Sequence, residues 1–509
     1  MKSNVSPVTF LVPGICISIL WVAGCTSWNL DNWTVSFPSV GTYSSCRAVD
    51  LNGDHILDLV LGGAAKEYEA TATGVIALDG NDGSLLWKYP ARNQMVGSAI
   101  FHDLDQDGGP DVVIGGRSAQ LVALNGRNGE KLWEFLSDHP ELDLVNDTTL
   151  LNFFTPQWVP DQDGDAVPDI LTAFGGFVNA GPEETDRPAG KLMVIGGATG
   201  SLLAEAPMPD GKETYCAPVL LQSKNDLNPY VIYGSGGETI NGGLFVTTLR
   251  DIMQGDLKNS KQLADGEGKG FIAPPLLADI TSDKVPDIIA QSFNGRMMAF
   301  DGQNFASLWS YRVTGGVETY SIVAPIDYNK DGTLDFFGSY GIGSWPDIKR
   351  SVQVVVNGKT GEPMMSDSLG TFQYASPLSF DFTDDGNDDV LFTINRFSSD
   401  AWNGDLLENE KALYRYTNEL IVYDIVNGTT YQLGENYTGT NLGSTPLLVD
   451  LDNDDKLDII TCHMADAFDF FSFKGLTITR TELGISSGRI PLGAYMGNDF
   501  DGNYNQRID

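Results

Sequence analysis

The 509-residue sequence predicts an all-β fold, a single β-propeller of about eight four-stranded blades with seven as the alternative. Three observations lead there. An Asp-rich nonapeptide followed by an apolar run recurs along the chain. Short Val, Ile and Leu runs alternate with Gly, Asn and Asp clusters, which is the texture of strands and turns. The recurrence comes at roughly fifty residues, the length of a propeller blade. A chain this long exceeds what one ordinary core organises, and repeats that bury both faces of each sheet against neighbours remove that limit.

At the N-terminus, residues 1–24 read as an export signal. Lys2 precedes an apolar stretch from Val8 to Trp21, interrupted by Pro13 and Gly14 and followed by Val22-Ala23-Gly24-Cys25. That tetrapeptide resembles a bacterial lipobox. The resemblance implies a lipidated Cys25 as mature N-terminus and a tether over residues 25–32, ahead of the propeller that the repeats predict over 33–509. It further implies an exported, membrane-anchored lipoprotein, in the outer membrane or at the cell surface of a diderm organism, because Thr26 rather than Asp follows the Cys.

Beyond Cys16 and Cys25, three cysteines remain: Cys46, Cys216 and Cys462. They allow at most one internal disulfide, so this is no disulfide scaffold. Closure of a ring would make Cys46 and Cys462 neighbours, either as a latch or as two buried thiols. There is no CxxC pair and only 4 His, so zinc and haem chemistry are poorly supported. With 31 Lys and Arg against 68 Asp and Glu, the net charge of −37 argues against nucleic acid as partner.

The Asp-rich loops come next. The first three place Asp50, Asn52, Asp54 and Asp58, then Asp103, Asp105, Asp107 and Asp111, then Asp161, Asp163, Asp165 and Asp169 at positions 1, 3, 5 and 9. Four more follow: Asp279, Thr281, Asp283 and Asp287; Asp327, Asn329, Asp331 and Asp335; Asp381, Thr383, Asp385 and Asp389; and Asp450, Asp452, Asp454 and Asp458. Between the third and the fourth of these the step doubles. A hidden unit fills the gap at Pro218 to Tyr233, its ligands mostly replaced around Asp226. Calcium prefers six to eight oxygens, and alternating side chains in a tight loop, with a backbone carbonyl at position 7, supply them. Up to seven structural Ca²⁺ sites are therefore expected.

Each unit continues alike. Val75-Ile-Ala-Leu-Asp79-Gly-Asn-Asp-Gly83-Ser-Leu-Leu-Trp87 is the clearest second half, repeated at Leu121 to Trp133 and Met297 to Trp309. The loops resemble the FG-GAP and VCBS-type repeats of integrin α-subunit propellers, and the second half is similar to quinoprotein-like propeller repeats. The resemblance covers about residues 43–480 and implies a calcium-binding propeller, while leaving the ligand open.

If strands A to D run from the channel outward, the Asp loop is A–B, so A–B and C–D turns share one face and B–C and D–A connections the other. Pro218, Pro275, Pro377 and Pro446 fall in strand A. Two terminal segments, Trp33 to Phe37 and Gly493 to Asn503, are both candidates to complete the last blade. Long B–C inserts at residues 63–73, 172–190, 338–350 and 393–417, with a D–A insert at 136–156, form a candidate ligand rim. It carries Tyr68, Phe153, Phe174, Phe177, Tyr340, Trp345, Trp402 and Tyr414, with Arg187, Lys349, Arg350 and Arg396. The expected function is non-catalytic binding of a protein or glycan at the cell envelope, as adhesin or scaffold. The alternative is a polysaccharide lyase or another carbohydrate-active enzyme on a calcium-loop propeller, which would need a positioned base.

Overall fold

The computed structural model describes residues 33–504, apart from 138, 140, 145–146, 148, 179, 182, 222–226, 345–347, 349, 399–414 and 469–472. The export signal, Cys25, Asp226, Trp345, Lys349, Trp402 and Tyr414 lie outside the described residues. Eight antiparallel sheets follow one another along the chain, each with four strands in the order A-B-C-D; the third and sixth carry one short extra strand beside strand B. Blade one shows the pattern: Arg47–Val49, Asp58–Gly62, Thr71–Leu78 and Leu85–Ala91. Strand B is buried along its whole length, as DLVLG, whereas strand D alternates exposed and buried. That gradient is what radial packing demands, since inner strands lie between neighbouring blades and outer strands face water.

The hidden fourth unit is a complete blade, Val219–Leu221, Tyr230–Gly234, Gly243–Thr248 and Lys261–Asp265, with a short helix Leu249–Met253 between its last two strands. The four prolines stand immediately before strand A rather than inside it, as Pro218 does before Val219–Leu221 and Pro446 before Leu447–Val449. With no N–H to donate, Pro leaves pairing to begin at the next residue.

Neighbouring blades are joined by a repeated side-chain contact. The indole N–H of Trp87 donates to the carbonyl of Gly126 in the next blade at 2.6 Å. Trp133 donates likewise to Gly197 at 2.8 Å, and Trp309 to Gly358 at 2.6 Å. A glycine in the receiving turn lies flat on the ring: Gly200 has φ +71°, and a Cβ there would come within 2.4 Å of Trp133. Replacing Trp309 by Phe keeps most of the apolar area but strands the Gly358 carbonyl, so a loss of about 1–3 kcal/mol in urea unfolding is expected. An unchanged unfolding midpoint would show that the indole N–H carries no weight.

The same contact closes the ring. Trp33–Phe37 pairs with Leu476–Ser486 as the outermost strand of blade eight, in register from Trp33 with Arg480 to Phe37 with Leu476. Trp33 then donates to the Gly80 carbonyl of blade one at 3.0 Å. Cys46 and Cys462 do meet in one apolar cluster at this seam, and both are free, buried thiols. Burial pushes the Cys462 thiol up to about 12, so neither is poised for exchange.

The other terminal segment fills the channel instead of closing a blade. Leu492 exchanges backbone hydrogen bonds with Ser379, Gly493 accepts from Leu448, and Leu277 bonds both Gly502 and Tyr504. Arg47 reaches the carbonyls of Ala99 and Tyr495 and lies 4.4 Å from the Phe500 ring centroid, and Gln157 donates to the Phe500 carbonyl at 3.1 Å. Inner strands of blades one, three, five, seven and eight thus hold one peptide on the axis. Because strand C of blade eight ends on the Asp-loop face, the plug enters from that side.

Candidate functional site

Two regions carry polar chemistry, one on each face of the disc. On the first, all seven Asp loops take one conformation. The first Asp accepts loop amides, as Asp50 does from Gly53 at 2.7 Å and His55 at 3.0 Å. The fifth-position Asp accepts from the residue two further on, as Asp54 does from Ile56 at 2.8 Å. The ninth Asp is buried, between 0 and 1% exposed in every loop. In blade one, Asp58 accepts from Leu51 and Asn52 through one oxygen and from Gly80 through the other. The ninth carboxylate therefore clamps the A–B loop to the C–D turn of its own blade, and Asp111, Asp169, Asp287 and Asp335 repeat this on Gly126, Gly197, Gly302 and Gly358.

The donor set suits a hard cation. Carboxylate oxygens of Asp103, Asp105 and Asp111, of Asp161, Asp163 and Asp169, and of Asp450, Asp452 and Asp454 lie within 4.8 Å of one another in each group. Two third-position atoms, Asp452 Oδ1 and Thr383 Oγ1, are buried with no hydrogen-bond partner. An orphaned oxygen at that ligand position fits Ca²⁺, which takes oxygen alone. In blade eight Arg480, 3% exposed, binds Asp452 at 2.6 Å and Asp458 at 2.8 Å, taking the place of the glycine amide found in blades one, two, three, five and six.

Burial pushes Asp58 and Asp335 up to about 6 and Asp389 to about 7, from an ordinary 3.8. A raised native pKa means that the folded chain holds protons the unfolded chain has released. Without calcium, stability should therefore fall as pH rises from about 4 through 6 to 7. Melting curves in chelator across that window check this, and a melting temperature that climbs between pH 5 and 7 would count against buried, unneutralised carboxyls.

On the opposite face the B–C and D–A connections surround a funnel of about 1290 Å³ whose floor is the plug residue Tyr495. Of the predicted rim, Tyr68, Phe177 and Arg187 line it. Arg187 makes a paired contact with Glu213 at 3.0 and 3.1 Å and reaches the Tyr215 hydroxyl at 3.1 Å. Arg117 donates to the Tyr68 hydroxyl at 2.9 Å and lies 4.8 Å from that ring's centroid.

Other rim residues sit elsewhere. Phe153 and Tyr340 are fully buried, Tyr340 bonding Gln291, and Phe174 packs on Phe153 at 4.7 Å. Phe153 and Tyr340 belong to the core because their strands are buried on both faces, and Phe174 is half-buried against the same cluster as Phe153. Arg350 begins an exposed strand end, Arg396 is tied to Glu419 at 2.8 Å, and neither lines the funnel. Sequence reasoning missed the D–A tyrosines Tyr43, Tyr215, Tyr320 and Tyr374, which do line it. Each lies close before a strand A, and that position was the available signal.

A family model described as the FAM234A/B beta-propeller matches residues 33–265. Rat FAM234A is 26% identical over 156 residues, covering 28% of this chain and 27% of the relative. Human FAM234B is 22% identical over 395 residues, covering 72% of this chain and 59% of the relative. The chain thus spans under two thirds of each of these relatives. Among solved structures, a europium-containing methanol dehydrogenase is similar with TM-score 0.58 at 10% identity, covering 90% of this chain and 94% of that one. The quinohemoprotein alcohol dehydrogenase of Comamonas testosteroni reaches 0.56 at 13%, covering 91% and 77%, and Sqt1 of Saccharomyces cerevisiae 0.52 at 11%, covering 89% and 98%. At these identities the likeness establishes the propeller fold and nothing about activity.

Proposed function

We propose that this eight-bladed propeller is a non-catalytic binding protein, held at a membrane by its N-terminal segment, that captures a protein or glycan in the funnel. The calcium loops of the opposite face stiffen the scaffold, as the likeness of those loops to FG-GAP repeats suggests. The observation that carries this reading is the funnel itself: about 1290 Å³, walled by tyrosines and internally paired arginines, and closed below by the chain's own plug. Concave sites with aromatic walls and a few fixed polar groups are where propellers and other rigid scaffolds take ligands. No helix among the described residues is long and apolar enough to cross a membrane; attachment is assigned to residues 1–32 because Val22-Ala23-Gly24-Cys25 resembles a lipobox. A lipid anchor at Cys25 predicts that Cys25→Ser yields an unlipidated or uncleaved chain, whereas wild type partitions into detergent.

The test is capture of glycans and envelope proteins by wild type and by Tyr68→Ala and Phe177→Ala, run beside an assay for lyase action on acidic polysaccharides. Both variants should lose captured partner while their melting curves stay close to wild type. Unsaturated sugar product would replace the binding reading with the enzymatic one.

A further inference from the structure

One side of the funnel floor is built around Glu238, in the B–C connection of blade four. Its carboxylate feels Tyr43, Tyr215, Tyr320 and Tyr374 electrostatically, together with a second carboxylate, Glu318. Tyr320 interacts with the Glu238 carboxylate directly, and Glu238, Glu318 and all four tyrosines line the same funnel. These groups arrive from the D–A connections before blades one, four, six and seven, so only the closed ring assembles them. The rings are fixed by one another: Tyr320 and Tyr374 meet edge to face at 4.6 Å, Phe293 supports Tyr320 at 5.0 Å, and Phe473 supports Tyr43 at 5.1 Å. Glu238 is open to the funnel, and Tyr43, Tyr320 and Tyr374 are half-buried, so part of each ring is available.

Arg187 and Lys269 both act electrostatically on Glu238, and each already has partners of its own. Lys269 donates to the Glu238 backbone carbonyl and lies 5.6 Å from the Phe293 ring centroid. Arg187 is spent on Glu213 and Tyr215. Although Glu238 opens on the funnel, the protein around its carboxylate displaces water and, with Glu318 adding like charge, raises its pKa against the opposing charges of Arg187 and Lys269. Carboxylates that repel one another beside tyrosine faces favour a positive guest, because the ring quadrupole presents its negative face and a cation offsets the like charge.

We propose that this corner of the funnel recognises a protonated primary amine, with Glu238 taking the ammonium, the buried Glu318 adding negative potential behind it, and Tyr320 and Tyr374 offering the adjoining carbon surface. The proposal rests on the funnel being the ligand site. Two sources share this chemistry, an amino sugar and a lysine side chain.

Calorimetric titration of the full chain with glucosamine against N-acetylglucosamine, and with Nα-acetyl-lysine amide against its Nε-acetyl form, tests it. In at least one pair the free amine should bind about tenfold or more tighter than its acetylated partner, and the pair that responds names the source. Glu238→Gln, which changes an open position, should remove that preference and leave the melting curve unchanged. Tyr374→Ala should weaken amine binding, and Tyr374→Phe should restore it. Equal binding of amine and acetylated forms in both pairs, or a preference that survives Glu238→Gln, overturns the proposal. If partner capture in that case still depends on Tyr68 and Phe177, the funnel stands as the site with a different ligand. Should capture ignore those residues too, the binding reading falls with it.

Discussion

Chelation with EDTA is expected to lower the melting temperature of the purified protein substantially, and about 1 mM Ca²⁺ to restore it. With a site Kd of ~0.1 mM, in the range of extracellular modules, each loop adds about 1.4 kcal/mol. Seven independent loops would reach ~10 kcal/mol, comparable with the whole stability of an ordinary domain and hence an upper bound. The physical source is visible in the loops: in the second, third and seventh, carboxylate oxygens lie within 4.8 Å of one another, and in all seven the ninth-position carboxyl is buried. Asp105→Ala should remove one loop's share, since Asp105 is a third-position residue in such a group. Asp452→Ala should cost more than one share, because it also breaks the contact with Arg480 at 2.6 Å. Metal analysis that finds no calcium, or a melting curve unmoved by EDTA, reduces the loops to solvated turns.

Arg480→Ala is expected to destabilise the fold by about 3–5 kcal/mol, the range for stripping one partner from a buried ion pair. Arg480 is 3% and Asp458 1% exposed, so solvent screens little of the lost interaction. The guanidinium also donates to the Gly80 carbonyl at 3.2 Å, the same acceptor that receives the Trp33 indole. Removing it therefore loosens the seam between the last blade and the first, and the two termini with it. Urea unfolding reads the effect, with Lys456→Ala as the control, because Lys456 is an exposed cation on the same strand pair. An Arg480→Ala midpoint equal to that of the control would mean that closure rests on strand pairing and the indole alone.

Among particular residues, the division between local pattern and assembled structure is clear. The Asp loops, the strand that follows each, and the Gly–Trp half of each unit are periodic, so the sequence by itself determined an all-β propeller, the placement of acidic loops on one face, and an eighth unit hidden around Asp226. Alternation within a blade is a local property, and repetition made it legible through missing ligands. Tertiary structure alone decided the rest. Both terminal segments read as plausible strands, yet Trp33–Phe37 pairs at the outer edge of blade eight and residues 492–504 plug the axis. Neither outcome is encoded within a fifty-residue window. Phe153 and Tyr340 sit in inserts that look like rim and point into the core, because insert length does not fix side-chain direction. Arg47, Arg480 and the tyrosines around Glu238 carry no repeat signature; they meet because a closed ring brings the D–A connections of distant blades to a common axis.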